Sequence, residues 1–82
     1  MRLPRDLSGP DFAKLLRRYG YAATRQTGSH IRLTSTIRGT QHHVTVPAHK
    51  ELRLGTLVSI LADVADYLKL PRSDLERELF GR

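Results

Sequence analysis

The sequence has 82 residues, no cysteine, and fourteen Lys and Arg against eight Asp and Glu, for a net charge of +6. That length predicts a single domain over residues 1–82 with a thin core, because a chain so small buries only about 60–65% of its unfolded surface. The lack of cysteine excludes a disulfide framework, thiol catalysis and cysteine-ligated zinc, and it fits a reducing compartment.

Leu57-Val58-Ser59-Ile60-Leu61-Ala62 is the longest apolar stretch, far short of the ~20 residues of a membrane span. Met1 to Asp6 has no apolar signal core, so no secretion and a cytoplasmic location are expected. The charge is uneven. Residues 1–53 hold ten basic and three acidic side chains, and residues 54–82 hold four and five. The positive field therefore belongs to the first two-thirds of the chain, and a field of that sign attracts polyanions.

Leu3 to Leu7 reads as a lead-in. Ser8-Gly9-Pro10-Asp11 predicts a helix start: Ser8 as cap, Pro10 where no N–H partner is needed, and Asp11 at the positive end. Phe12, Leu15, Leu16 and Tyr19 follow at helical spacing, and Gly20 is the expected stop. Tyr21 to Thr27 predicts a weakly patterned first strand, with Gly28 as the turn. Ser29 to Ile37 predicts a second strand and Gln41 to Val46 a third, joined by Arg38-Gly39-Thr40. Pro47 ends the third strand. Ala48 to Gly55 reads as a loop. Thr56 is the expected cap of a helix whose stripe is Leu57, Ile60, Leu61, Val64 and Leu68, broken at Pro71. Ser73-Asp74-Leu75-Glu76 matches a capping box and predicts a short last helix.

In the second and third strands apolar and polar residues alternate. Ile31, Leu33 and Ile37 of the second strand and His42, Val44 and Val46 of the third point one way, and His30, Arg32, Thr34, Thr36, Gln41, His43 and Thr45 the other. A half-buried antiparallel sheet produces that pattern. The expected fold class is α+β, in the order α-β-β-β-α, with helices packed on one face of a three-stranded antiparallel sheet and a short C-terminal helix. The open face then carries His30, and a one-residue slip would invert the assignment.

Arg25-Gln26-Thr27-Gly28-Ser29-His30, Val44-Thr45-Val46-Pro47-Ala48-His49-Lys50-Glu51-Leu52 and Gly55-Thr56-Leu57-Val58-Ser59-Ile60-Leu61, in this order of elements, resemble the HicA toxins of bacterial HicAB toxin–antitoxin pairs. The resemblance runs from about Ser8 to Leu79. It implies a fold like the double-stranded RNA-binding domain, endoribonuclease action on messenger RNA, and neutralisation by a HicB-like antitoxin. By similarity His30 matches the catalytic histidine. Where family members usually carry a glycine near the end of the main helix, this chain has Ala65-Asp66.

The chemistry of the residues agrees with that implication. RNA can be cut by its own 2′-hydroxyl, which needs proton transfer and positive charge on the phosphate. Histidine, with an ordinary pKa near 6.5, suits the proton transfer. Arg25 and Arg32 suit the phosphate, and the N–H groups of Gly28 and Ser29 can add anion contacts. His43, His49, Lys50 or water can supply the second proton-transfer group, and Lys50 and His43 are also candidate RNA contacts. No cofactor is implied. Zinc is disfavoured, because His42 and His43 are strand neighbours that point to opposite faces. No exposed aromatic lies on the strands of His30 and His43, so backbone and 2′-hydroxyl contacts are expected rather than base reading. The expected free form is a monomer that assembles with an antitoxin acidic enough to match this basic face. A non-catalytic RNA- or DNA-binding module and a purely protein-binding partner are the alternatives.

Overall fold

Alternation in Ile31-Arg32-Leu33-Thr34-Ser35 and Val44-Thr45-Val46 decides which side of the sheet is buried, and the computed structural model, which describes residues 2–81, follows it. Strands β1 (Ala22–Thr27), β2 (His30–Ser35) and β3 (His42–Pro47) form one antiparallel sheet in the order β1-β2-β3. Helix α1 (Gly9–Leu15) precedes the sheet and tightens into a 3-10 turn over Leu16–Tyr19. Helices α2 (Leu54–Leu68) and α3 (Arg72–Phe80) follow it. Ile31, Leu33, Val44 and Val46 are buried against Phe12 and Leu16 of the first helical segment and Leu57, Leu61 and Val64 of α2. Each such side chain contributes about 1.5–3 kcal/mol when fully buried. Among the described residues, no helix covers the other face of the sheet.

Ser8 caps α1 as expected, its hydroxyl accepting from the Asp11 N–H at 3.1 Å, and Pro10 lies in the first turn. Gly20 stops the segment at φ 82°, a left-handed conformation that glycine adopts at little cost. Four expectations need correction. The helix does not run regularly to Tyr19 but narrows after Leu15, which turns the chain early enough to bury Tyr21, predicted to open β1, in the core instead. The second strand stops at Ser35. The Ser35 hydroxyl there donates to the Tyr19 carbonyl at 2.7 Å, and Ile37 lies 55% exposed in the hairpin. Helix α2 begins at Leu54 with Arg53 in the cap position, so Thr56 lies inside its first turn. Helix α3 begins at Arg72 directly after Pro71, so Ser73 is helical and makes no cap. Glu76 turns inward to Arg72, 2.8 Å away, instead of reaching back to Ser73. The end of α2 accounts for that early start. Lys69 takes the left-handed conformation at φ 61°, and the Leu70 N–H closes back on the Ala65 carbonyl at 3.0 Å, which aims Pro71 straight into the next helix.

Two ties hold the ends of the sheet. At one end Gly9 donates to the His49 carbonyl at 2.9 Å, and Leu52 donates to the Leu7 carbonyl at 2.8 Å. The backbones are so close that a Cβ on Gly9 would lie 1.8 Å from the Pro47 carbonyl oxygen. At the other end Tyr67 of α2 donates its hydroxyl to the Thr40 carbonyl and accepts from the Arg38 N–H at 3.0 Å. Its ring stacks on His42 at 4.6 Å. His42 bridges Tyr21, whose hydroxyl is 2.6 Å from Nδ1, and Asp63, 3.1 Å from Nε2. Burial, then the neighbouring Tyr67 and Asp63, push the Tyr21 phenol above its ordinary range, so it stays protonated.

Gly9→Ala is expected to destabilise the protein by about 1–3 kcal/mol, the usual cost of forcing extra volume into a packed contact, measured as a lowered urea midpoint at unchanged slope. The Tyr21 phenol predicts alkaline sensitivity. Its folded pKa lies above the unfolded value of about 10, so its contribution is complete below that pH and is lost as pH rises towards the folded value. Urea midpoints taken through that range should fall more steeply for the wild type than for Tyr21→Phe; equal slopes would refute the assignment.

Candidate nucleic-acid interface

The uncovered face of the sheet is a grid set by strand register. Residues paired across antiparallel strands share a face. His30 lies opposite Thr27 on β1 and Pro47 on β3. Arg32 lies opposite Arg25 and Thr45, and Thr34 opposite Ala22 and His43. The rows therefore run Thr27–His30–Pro47, Arg25–Arg32–Thr45 and Ala22–Thr34–His43.

Arg25 reaches this face through an irregularity. Simple alternation from Ala22 would send it to the helix side. The pairing register shifts between Ala23 and Arg25, so Thr24 is an extra residue, the signature of a β-bulge. Thr24 also serves the open face: its hydroxyl lies 2.8 Å from that of Thr34, which lies 2.8 Å from His43 Nδ1. A chain of side-chain hydrogen bonds thus crosses all three strands. The weak patterning of Ala22-Ala23-Thr24 is the only trace of the bulge in the sequence, so local pattern does not assign Thr24 to this face.

His30 is exposed and opens β2 directly after the turn. Gly28 holds the turn at φ 57° with open space around it, so conformation and not crowding favours glycine here. The Ser29 carbonyl accepts the Ala48 N–H at 2.6 Å. This bond ties the turn before His30 to the segment that carries His49 and Lys50, both exposed. His43 shares the face but not the neighbourhood. It pairs with Thr34, four residues along β2 from His30, or about 13 Å at ~3.3 Å per residue. One row of arginines separates the two histidines. His42 points to the opposite face and is occupied by Tyr21 and Asp63. Among the described residues, no three His, Asp or Glu side chains are grouped as metal ligands.

The face is strongly one-signed. From Phe12 to Lys50 the chain has no carboxylate side chain. Among the described residues the ion pairs are His42–Asp63, Arg72–Glu76 and Asp74–Arg77, and none involves Arg25 or Arg32. Like charges directly opposite on adjacent strands are unfavourable. Arg25 and Arg32 hold that arrangement next to Thr hydroxyls and N–H donors, a surface suited to an anion with oxygen acceptors. Again among the described residues, no helix is long and apolar enough to cross a membrane.

A family model described as the HicA toxin of bacterial toxin–antitoxin pairs matches residues 9–65, from the first residue of α1 into the last third of α2. Neither curated proteins nor solved structures give a match. The matched segment contains all three strands, the turn before His30 and the loop that carries His49 and Lys50. The chain belongs to the HicA family, the toxin partners in bacterial toxin–antitoxin systems, and membership implies a cognate antitoxin.

Proposed function

We propose that this toxin is an endoribonuclease that cleaves messenger RNA in the cytoplasm, with His30 as general acid/base on the open face of the sheet. The observation that carries the reading is the Arg25–Arg32 pair, placed by the bulge beside His30 with no carboxylate to neutralise it. A phosphodiester is drawn between the two guanidinium groups, which bind its non-bridging oxygens. Turn N–H groups at Gly28 and Ser29 add donors. His30 takes the 2′-hydroxyl proton as that oxygen attacks the adjacent phosphorus. A P–O bond forms to the 2′-oxygen and the bond to the 5′-oxygen breaks. The leaving oxygen receives a proton, giving a cyclic phosphate and a free 5′-hydroxyl.

The second proton donor comes from the loop tied to Ser29, that is from His49 or Lys50, or from water. His43 has a different task, as the far anchor of a strand laid along β2. The Thr24, Thr27, Thr34 and Thr45 hydroxyls suit sugar and phosphate contacts, which read little sequence. The cognate antitoxin covers this face with acidic side chains, and the free toxin is a monomer.

His30→Ala is expected to lower the cleavage rate by about 10²–10⁴-fold, the range for a positioned acid–base group, while melting temperature and RNA affinity stay unchanged. Undiminished cleavage by a clean preparation would remove His30 from the mechanism. RNA binding without cleavage by the wild type would favour a non-catalytic module. Replacing both Arg25 and Arg32 with Ala should weaken RNA binding and reduce the slope of log K against log salt by about 1.4, at ~0.7 for each phosphate contact on a single strand. His43→Ala should impair binding of long oligonucleotides and spare those too short to span the ~13 Å to His30, compared by fluorescence anisotropy.

A further inference from the structure

The face opposite His30 holds a groove that the RNA reading does not use. Helix α1 packs on β3 and leaves β1 bare, with all six of its residues exposed. On this side β1 presents Ala23, opposite Leu33, and Gln26, opposite Ile31. Alanine fills little of the space between α1 and β1, although Tyr21, Ile31 and Leu33 beneath it are themselves buried. A groove of about 180 Å³ therefore opens between α1 and β1, with Tyr21, Ile31 and Leu33 along its floor.

The wall formed by the first helical segment is basic. Pro10, Ala13, Lys14 and Arg17 line it at i, i+3, i+4 and i+7. No carboxylate lines the groove, and among the described residues neither Lys14 nor Arg17 forms an ion pair. Arg18, next in sequence, is different: it is committed to the Glu78 carbonyl at 2.6 Å. Two cations thus stand over an apolar floor with no partner of their own.

We propose that this groove docks an extended acidic segment of a partner protein. One aliphatic side chain sits on the Ala23–Leu33 floor, and flanking carboxylates meet Lys14 and Arg17. The volume holds about one or two aliphatic side chains, equal to roughly six waters. An extended segment sends alternate side chains the same way, which suits a narrow groove beside a strand. The bulge at Thr24 interrupts the outer edge of β1, so side chains rather than added strand pairing carry the recognition. Nucleic acid would meet the cations but gain nothing from the apolar floor. A second copy of the chain would bring its own basic flank against this one. The docking site lies on the reverse of the sheet from His30 and stands independently of the RNA reading.

The test is a titration of isotope-labelled full-length protein with an acidic peptide, acetyl-Glu-Glu-Leu-Glu-Glu-amide, followed through backbone amide shifts. The expected result is perturbation of Ala13, Ala23 and Gln26, with affinity that falls as salt is added. Changing the peptide leucine to serine should weaken binding. So should Ala23→Leu, which fills the floor, and the double variant Lys14→Glu with Arg17→Glu should reduce affinity at least about tenfold. Both variants alter exposed positions, and retained spectral dispersion confirms their fold. The proposal is overturned if the peptide perturbs the open face instead, if it perturbs nothing, or if the double variant binds equally well. Displacement of the peptide from the groove by an oligouridylate would assign the site to nucleic acid, and concentration-dependent shifts of the groove amides alone would assign it to a second copy. Either result also overturns the proposal.

Discussion

The pleat of the central strand is the constraint on which the rest depends. β2 is paired on both sides, and its side chains alternate between a packed core and an open surface. A shift of one residue would expose Ile31 and Leu33 and bury His30, Arg32 and Thr34. Burying even one unpaired guanidinium costs far more than the loss of a single aliphatic contact. The hydrophobic core therefore determines where the cationic surface lies, and the two cannot be varied independently. Because β3 pairs in register with β2, the same constraint sends Val44 and Val46 inward and His43 and Thr45 outward.

The edge strand departs from this regularity, and the departure concentrates charge. Without the bulge, that is with Thr24 paired in regular register, Arg25 would lie over the helix side. With it, Arg25 faces Arg32 across the strand pair. A bulge increases local twist and leaves one residue unpaired in the ladder. Here the Thr24 hydroxyl replaces part of what is lost by bonding to Thr34 and to the Arg32 carbonyl, 3.4 Å away. The same irregularity keeps Arg25 off the other side of β1, where Ala23 and Gln26 border a groove.

The two ends of the sheet are held in different ways. Near His30 the ties are between backbones: Ser29 to Ala48, Gly9 to His49, Leu7 to Leu52. Main-chain bonds fix position while leaving the His30, His49 and Lys50 side chains exposed. At the far end side chains make the ties: Tyr21, His42 and Asp63 bond in series, and Tyr67 stacks on His42 while its hydroxyl bonds the hairpin backbone at Arg38 and Thr40. The cleft there, lined by Arg38, Asp66 and Lys69 around that cluster, is therefore a structural clasp for the hairpin.

Local pattern alone determined much of this protein. Ser8 and Gly20 bound the first helical segment because capping and left-handed turns depend on nearby residues only. Alternation in β2 and β3 assigned His30, Arg32, His43 and Thr45 to one face because strand period is a local property. The order α-β-β-β-α followed from the same signals. What only the tertiary structure decided involves contacts distant in sequence. Thr56 and Ser73 have the chemistry of caps, but packing of Leu57 and Leu75 and the turn at Lys69-Leu70-Pro71 start both helices earlier. The bulge that aims Arg25 is a register shift between two strands, which the sequence of one strand cannot display. The separation of His43 from His30 is likewise a matter of pairing: adjacency on a face is set by residue period, but distance along it is set by which residues of neighbouring strands lie opposite one another.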